Sequence, residues 1–124
     1  MNLVDSCGWL EYLADGVNAD KFAPAIESPS TLVVPAICIY EVFRRLLPKH
    51  GRSASLEVIS AMYQSTIVPL SPVLAVEAAA LGHEHGLPLA DSVIYACARA
   101  YGATVWIQDA HFENLPNVFY FPHA

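Results

Sequence analysis

Positive charge is scarce in this sequence: six Lys and Arg stand against twelve Asp and Glu, for a formal net charge of -6. That balance counts against a simple nucleic-acid-binding module, which needs a basic face to neutralise phosphates. No apolar run reaches the roughly 18 residues that span a bilayer, and Asp5 interrupts the N-terminal apolar stretch at once, so a membrane protein is not expected. Met1-Asn2-Leu3-Val4-Asp5 lacks the basic start and apolar core of a secretion signal, which gives a cytoplasmic protein as the expectation. Cysteine is limited to Cys7, Cys38 and Cys97, odd in number, widely spaced and without a CxxC pair. Neither a disulfide framework nor a zinc site is expected from this spacing, whereas reduced, mostly buried thiols are. Linkers and internal repeats are also missing; the most loop-like stretch, Glu27-Ser28-Pro29-Ser30-Thr31, is too short to separate domains.

What is present is 124 residues with 55% hydrophobic content, enough for one domain over 1–124 with a real core. Leu3-Val4, Leu32-Val33-Val34, Thr66-Ile67-Val68, Thr104-Val105-Trp106-Ile107 and Val118-Phe119-Tyr120-Phe121 are short β-branched and aromatic runs that read as strands. Stretches with helical spacing lie between them, such as Val73 to His85, and Leu89 to Tyr101 with apolar residues recurring at three and four. Pro35 and Pro72 sit where helices begin; Pro48 with Gly51, Gly86 and Gly102 sit where helices end. Fully apolar strands alternating with helices are what a buried, mostly parallel sheet demands, and the expected fold is an α/β/α sandwich.

In such a sheet, ligands collect at the C-terminal strand ends, and that rule ranks the carboxylates. Asp5 follows the first strand and Asp109 the fourth, Asp91 opens a helix, and Glu41 lies about two turns into the helix after the second strand. Each has a structural alternative. Asp5 and Asp91 suit helix caps, Glu41 suits an ion pair with Arg45, and Asp109 suits a turn before His111. Those alternatives do not explain why acids should converge on one edge, where they repel unless a cation holds them ionised. Oxygen donors select a hard metal, Mg²⁺ or Mn²⁺. Four of the six basic residues, Arg44, Arg45, Lys49 and Arg52, fall within nine positions and form either a solvated helix end or a phosphate-facing patch.

Asn2-Leu3-Val4-Asp5-Ser6-Cys7-Gly8-Trp9, Glu41, Leu89-Ala90-Asp91-Ser92-Val93-Ile94-Tyr95-Ala96 and Gln108-Asp109-Ala110-His111-Phe112-Glu113-Asn114-Leu115 resemble, in order, the motifs of PIN-domain proteins. VapC-type toxins of toxin-antitoxin pairs are the nearest match in pattern, and the resemblance runs almost to Phe121. It implies a three-layer sandwich, an acidic quartet of Asp5, Glu41, Asp91 and Asp109, and Mg²⁺- or Mn²⁺-dependent endonucleolytic cleavage of RNA. It also implies a cognate antitoxin partner that covers the acid pocket; the high apolar content fits a protein-covered surface, and a homodimer bound to that antitoxin is expected. Asp5, Asp91 and Asp109 are the metal-ligand candidates, with Glu41 completing the shell or orienting the attacking water. Ser6, Ser92, Arg44 and Arg45 are substrate candidates, capping being the alternative for the two serines. Two departures stand out: Ile107 where many relatives carry Thr or Ser, and Cys7 where Ser is frequent. Rival readings are a Cys7/His111 hydrolase, a His83/His85 metal site, and a PIN-like domain that binds a partner or RNA without cutting.

Overall fold

The five apolar runs become strands in the computed structural model, which describes residues 1–123: β1 (Asn2–Val4), β2 (Leu32–Pro35), β3 (Thr66–Val68), β4 (Thr104–Ile107) and β5 (Val118–Tyr120). All four pairings are parallel, in the order β3-β2-β1-β4-β5. Leu3 of β1 stands opposite Val33 of β2 on one side and Val105 of β4 on the other. Consecutive strand residues point to opposite faces, so complete burial of Leu3 and Val4, and of Leu32, Val33 and Val34, means that helices cover the sheet on both sides. The α/β/α expectation holds. The edge strands β3 and β5 are more exposed, as the periphery of such a sheet allows.

The helices are α1 (Ser6–Leu13), α2 (Ala19–Ile26), α3 (Ala36–Ile59), α4 (Pro72–His85) and α5 (Leu89–Tyr101). α4 starts at Pro72 behind the Ser71 cap, whose hydroxyl accepts from the Leu74 N–H, and stops at Gly86 in the left-handed conformation. α3 differs from the expectation that Pro48 and Gly51 end it. Pro48 lies within the helix, and Gly51 breaks its course at φ 75°, ψ 174°, after which helical turns resume to Ile59. The second arm persists because Ser55 and Ile59, one turn apart, are buried. None of the helices is long and apolar enough to cross a membrane, among the described residues.

The chain order sets up one place for chemistry. β1 lies at the centre; the chain moves outward through β2 and β3, then returns to the other side of β1 for β4 and β5. The crevice beyond the C-terminal ends of β1 and β4 is therefore the topological switch point of the sheet, where loops diverge and leave room for a ligand.

Candidate functional site

Asp5 and Asp109 stand at that crevice because each follows one of the two strands that flank it. The Asp5 backbone N–H still reaches the sheet, donating to the Trp106 carbonyl of β4 at 3.3 Å. Its side chain caps α1, with Oδ1 accepting the Gly8 N–H at 2.8 Å. The capping expectation for Asp5 is met, yet capping does not settle its charge. Asp5 is 3% exposed, and its carboxyl is raised to about 7, by burial first. The backbone N–H groups of Gly8 and Cys7 pull it down, and the charges of Asp109 and Asp91 push it up further.

Glu41 reaches the crevice from α3. The expected Glu41–Arg45 pair does not form; instead the Ser6 hydroxyl at the start of α1 donates to Glu41 Oε1. Arg44 Nη1 donates to the Tyr40 hydroxyl at 3.1 Å, and among the described residues no Lys or Arg has a carboxylate partner. Arg44 and Arg45 thus remain electrostatically available. They line an open groove of about 430 Å³ together with Ser6, Cys7, Tyr40 and Glu41, which joins Glu41 to the basic arm of α3.

Asp91 enters from the first turn of α5, where the N-cap is Pro88, so Asp91 does not take the cap position offered as its alternative. Its Oδ2 lies 3.0 Å from His111 Nδ1, and Asp109 Oδ1 lies 3.0 Å from the same nitrogen. Asp109 Oδ1 also accepts the His111 backbone N–H at 2.9 Å, so the turn expected after β4 is real and faces the crevice. Burial raises the Asp91 carboxyl to about 6, with the charge of Asp109 adding to it and His111 opposing. The same contacts raise the His111 imidazole, the hydrogen bond to Asp91 first and the Asp109 charge next.

One side chain registers all four acids. The Cys7 thiol is pushed up to about 12, by the protein packed around it first and then by the charges of Asp5, Asp109, Glu41 and Asp91. Cys7 keeps an exposed surface. His111 Nδ1 is engaged by Asp91 and Asp109, and no hydrogen bond joins it to Cys7 among the described residues, so the Cys7/His111 hydrolase lacks its base. A cation is what such a constellation calls for: Asp5 is costly to ionise in isolation, and Asp91, Asp109 and His111 place ligand atoms within 4.8 Å of one another. The donor set fits a divalent metal.

Ser92 stands apart. Buried, it gives its hydroxyl to the Leu89 carbonyl at 2.7 Å, and its Cβ lies where a Cβ on Gly82 would come within 2.9 Å. It serves the close approach of α4 and α5, not the capping expected of it. Ile107 is fully buried in the core, so its side chain replaces a hydroxyl by packing. Sequence reasoning left two residues outside the site. His111 carried a signal in the Asp109-x-His111 spacing; Asn18 carried none. Asn18 is 1% exposed, and its Nδ2 donates to Gln108 Oε1 at 3.0 Å and to the Pro122 carbonyl at 3.3 Å, tying the turn before α2 to the residue preceding Asp109.

No curated protein matches the chain. Three solved structures share its fold: a toxin-antitoxin complex from Klebsiella pneumoniae (TM-score 0.82, 22% identity, 99% of this chain and 100% of that one); VapC20 of Mycobacterium tuberculosis, described as a sarcin-ricin loop cleaving toxin (TM-score 0.76, 16% identity, 94% and 95%); and VapBC2 from Rickettsia felis bound to a promoter DNA fragment (TM-score 0.72, 13% identity, 98% and 97%). The family model described as the PIN domain matches residues 3–118. With that match over nearly its whole length, the chain belongs to the PIN domain family.

Proposed function

We propose that this protein is a metal-dependent endoribonuclease and the toxin of a toxin-antitoxin pair. The observation that carries the reading is the meeting of Asp91 and Asp109 with His111 at the switch-point crevice, their ligand atoms within 4.8 Å of one another, at the same sheet edge as the strand-end Asp5. Asp5, Asp91 and Asp109 hold the divalent cation, Mg²⁺ or Mn²⁺. When bound, such an ion supplies an acidified water and neutralises charge on the phosphoryl group. Glu41, fixed by the Ser6 hydroxyl, orients the attacking water or completes the metal shell. Arg44 and Arg45 hold the phosphates flanking the scissile bond, a local basic arm that offsets the net charge of -6. Ser6, at the base of the same groove, positions Glu41 beside the RNA. The protein acts in the cytoplasm, where RNA and antitoxin are both present.

The structures of similar fold support the partner. One is a toxin-antitoxin complex, another a VapBC pair on DNA, and a third a toxin that cleaves an RNA loop. In this chain the antitoxin covers the acid crevice, offering a basic side chain to the carboxylates. A homodimer is proposed as well, supported by exposed Val73 and Val76 on α4, an apolar face of the kind a lone monomer rarely leaves open.

Purified protein freed of antitoxin, incubated with cellular RNA and Mn²⁺ or Mg²⁺, is expected to give discrete fragments. Both EDTA and Asp91→Asn should abolish them. Intact RNA under either metal, from a folded protein that binds the ion, would replace the enzyme with a binding module. Light scattering that finds only monomer at micromolar concentration would remove the homodimer.

A further inference from the structure

His111 brings a ring nitrogen to the pair of carboxylates, Asp91 and Asp109. Its backbone N–H is anchored on Asp109 Oδ1 at 2.9 Å, and its Nδ1 sits 3.0 Å from both Asp91 Oδ2 and Asp109 Oδ1. The three prospective donor atoms lie within 4.8 Å of one another, the span of ligands around a single ion. The ring is half exposed, with a side-chain accessibility of 55%, so it can turn without disturbing the core.

We propose that His111 is a nitrogen ligand of the cation held by Asp91 and Asp109, and that it biases the site toward first-row transition cations over Mg²⁺. The inference rests on the metal site proposed above and adds a donor to it. Mg²⁺ prefers oxygen and keeps its waters, whereas imidazole suits transition ions. Nδ1 faces both carboxylate oxygens at 3.0 Å, and ligation there would leave the hydrogen of the neutral ring on Nε2. The opposing reading is that His111 is only an internal counter-charge, which an incoming ion must displace. The two readings predict opposite signs for the same substitution.

The test is titration calorimetry of metal-free wild type and His111→Ala with Mn²⁺ and, separately, with Mg²⁺. The substitution should weaken Mn²⁺ binding on the order of tenfold while leaving Mg²⁺ binding nearly unchanged. Pulsed electron paramagnetic resonance on the Mn²⁺-loaded wild type, which needs no variant, should show nitrogen-14 modulation, and the variant should lack it. Equal Mn²⁺ affinity in the two proteins, tighter binding of both metals by the variant, or a nitrogen-free spectrum in the wild type would each overturn the ligand role and leave the carboxylate site standing. If the wild type takes up neither ion, the metal-site reading falls and this inference falls with it.

Discussion

Gly8 gives its backbone N–H to Asp5 Oδ1 at 2.8 Å and has no room for a side chain of its own. A Cβ there would come within 2.6 Å of Val4 Cγ1 and 2.8 Å of Phe22 Cε1. One residue thus lets α1 press against β1 and α2 and also holds the most buried acid of the crevice. Gly8→Ala should cost about 1–3 kcal/mol through overpacking, read as a lower midpoint in denaturant. RNA cleavage should fall further than the loss of folded protein explains, because Asp5 moves with the helix start. A variant of unchanged stability would mean that α1 shifts freely, and the close-approach argument would fail.

The raised Asp5 carboxyl makes stability depend on pH in the metal-free protein. An unfolded Asp titrates near 3.8 and the folded one at about 7, so the folded state binds more protons between those values. Stability is then fullest below about pH 4, declines through the window, and levels off above about pH 7. The raised Asp91 and His111 act in the same direction. Thermal melts in EDTA should show a melting temperature lower by on the order of 10 °C at pH 7.5 than at pH 5. Asp5→Asn should flatten that slope. Added Mn²⁺ should restore stability mainly at the higher pH, since it favours the ionised carboxylates; a flat profile in EDTA would contradict the buried-acid account.

The sheet was legible because its strands are short, β-branched and apolar on both faces, a pattern that a buried parallel sheet requires and that local reading detects. Asp5 and Asp109 followed from it, since position after a strand fixes which edge a residue occupies. The parts that escaped are those set by tertiary contact. α2 carries Pro24 inside it, which masks an amphipathic stretch whose Ala19, Phe22, Ala25 and Ile26 are all buried. Gly51 announces a break correctly but says nothing of the helical turns resuming beyond it. Glu41 has Arg45 one turn along, and local spacing favours that pair; a serine 35 positions away in the chain takes the carboxylate instead. His111 meets Asp91 across 20 positions, a distance no window of sequence spans.

Asn18 offers a test of positioning at a distance from the chemistry. Its amide bridges Gln108 and the Pro122 carbonyl in a nearly water-free setting, and its own N–H is held by Glu11 Oε2 at 2.9 Å. Asn18→Ala leaves two acceptors without a donor, a loss of about 1–3 kcal/mol. Gln108 is the neighbour of Asp109, so metal affinity should weaken alongside stability, which calorimetry on the folded variant measures directly. Destabilisation with unchanged metal affinity would make Asn18 a fold residue only.

The basic arm of α3 is testable through salt dependence rather than rate alone. Arg44 and Arg45 are exposed and have no carboxylate partner among the described residues, so neither is committed to an internal ion pair. Each phosphate contact that an arginine supplies releases condensed counterions, and on single-stranded RNA one contact contributes about 0.7 to the slope of log affinity against log salt. In the Asp91→Asn background, where RNA stays uncut, Arg44→Ala and Arg45→Ala should each lower that slope by roughly this amount and weaken binding across sequences without changing preference. Fluorescence anisotropy with a labelled single-stranded RNA over a salt series reads both quantities. Arg44 also braces Tyr40 through its hydrogen bond, so its removal should cost somewhat more affinity than removal of Arg45 at the same slope change. Slopes unaltered in both variants would place the RNA backbone elsewhere on the surface.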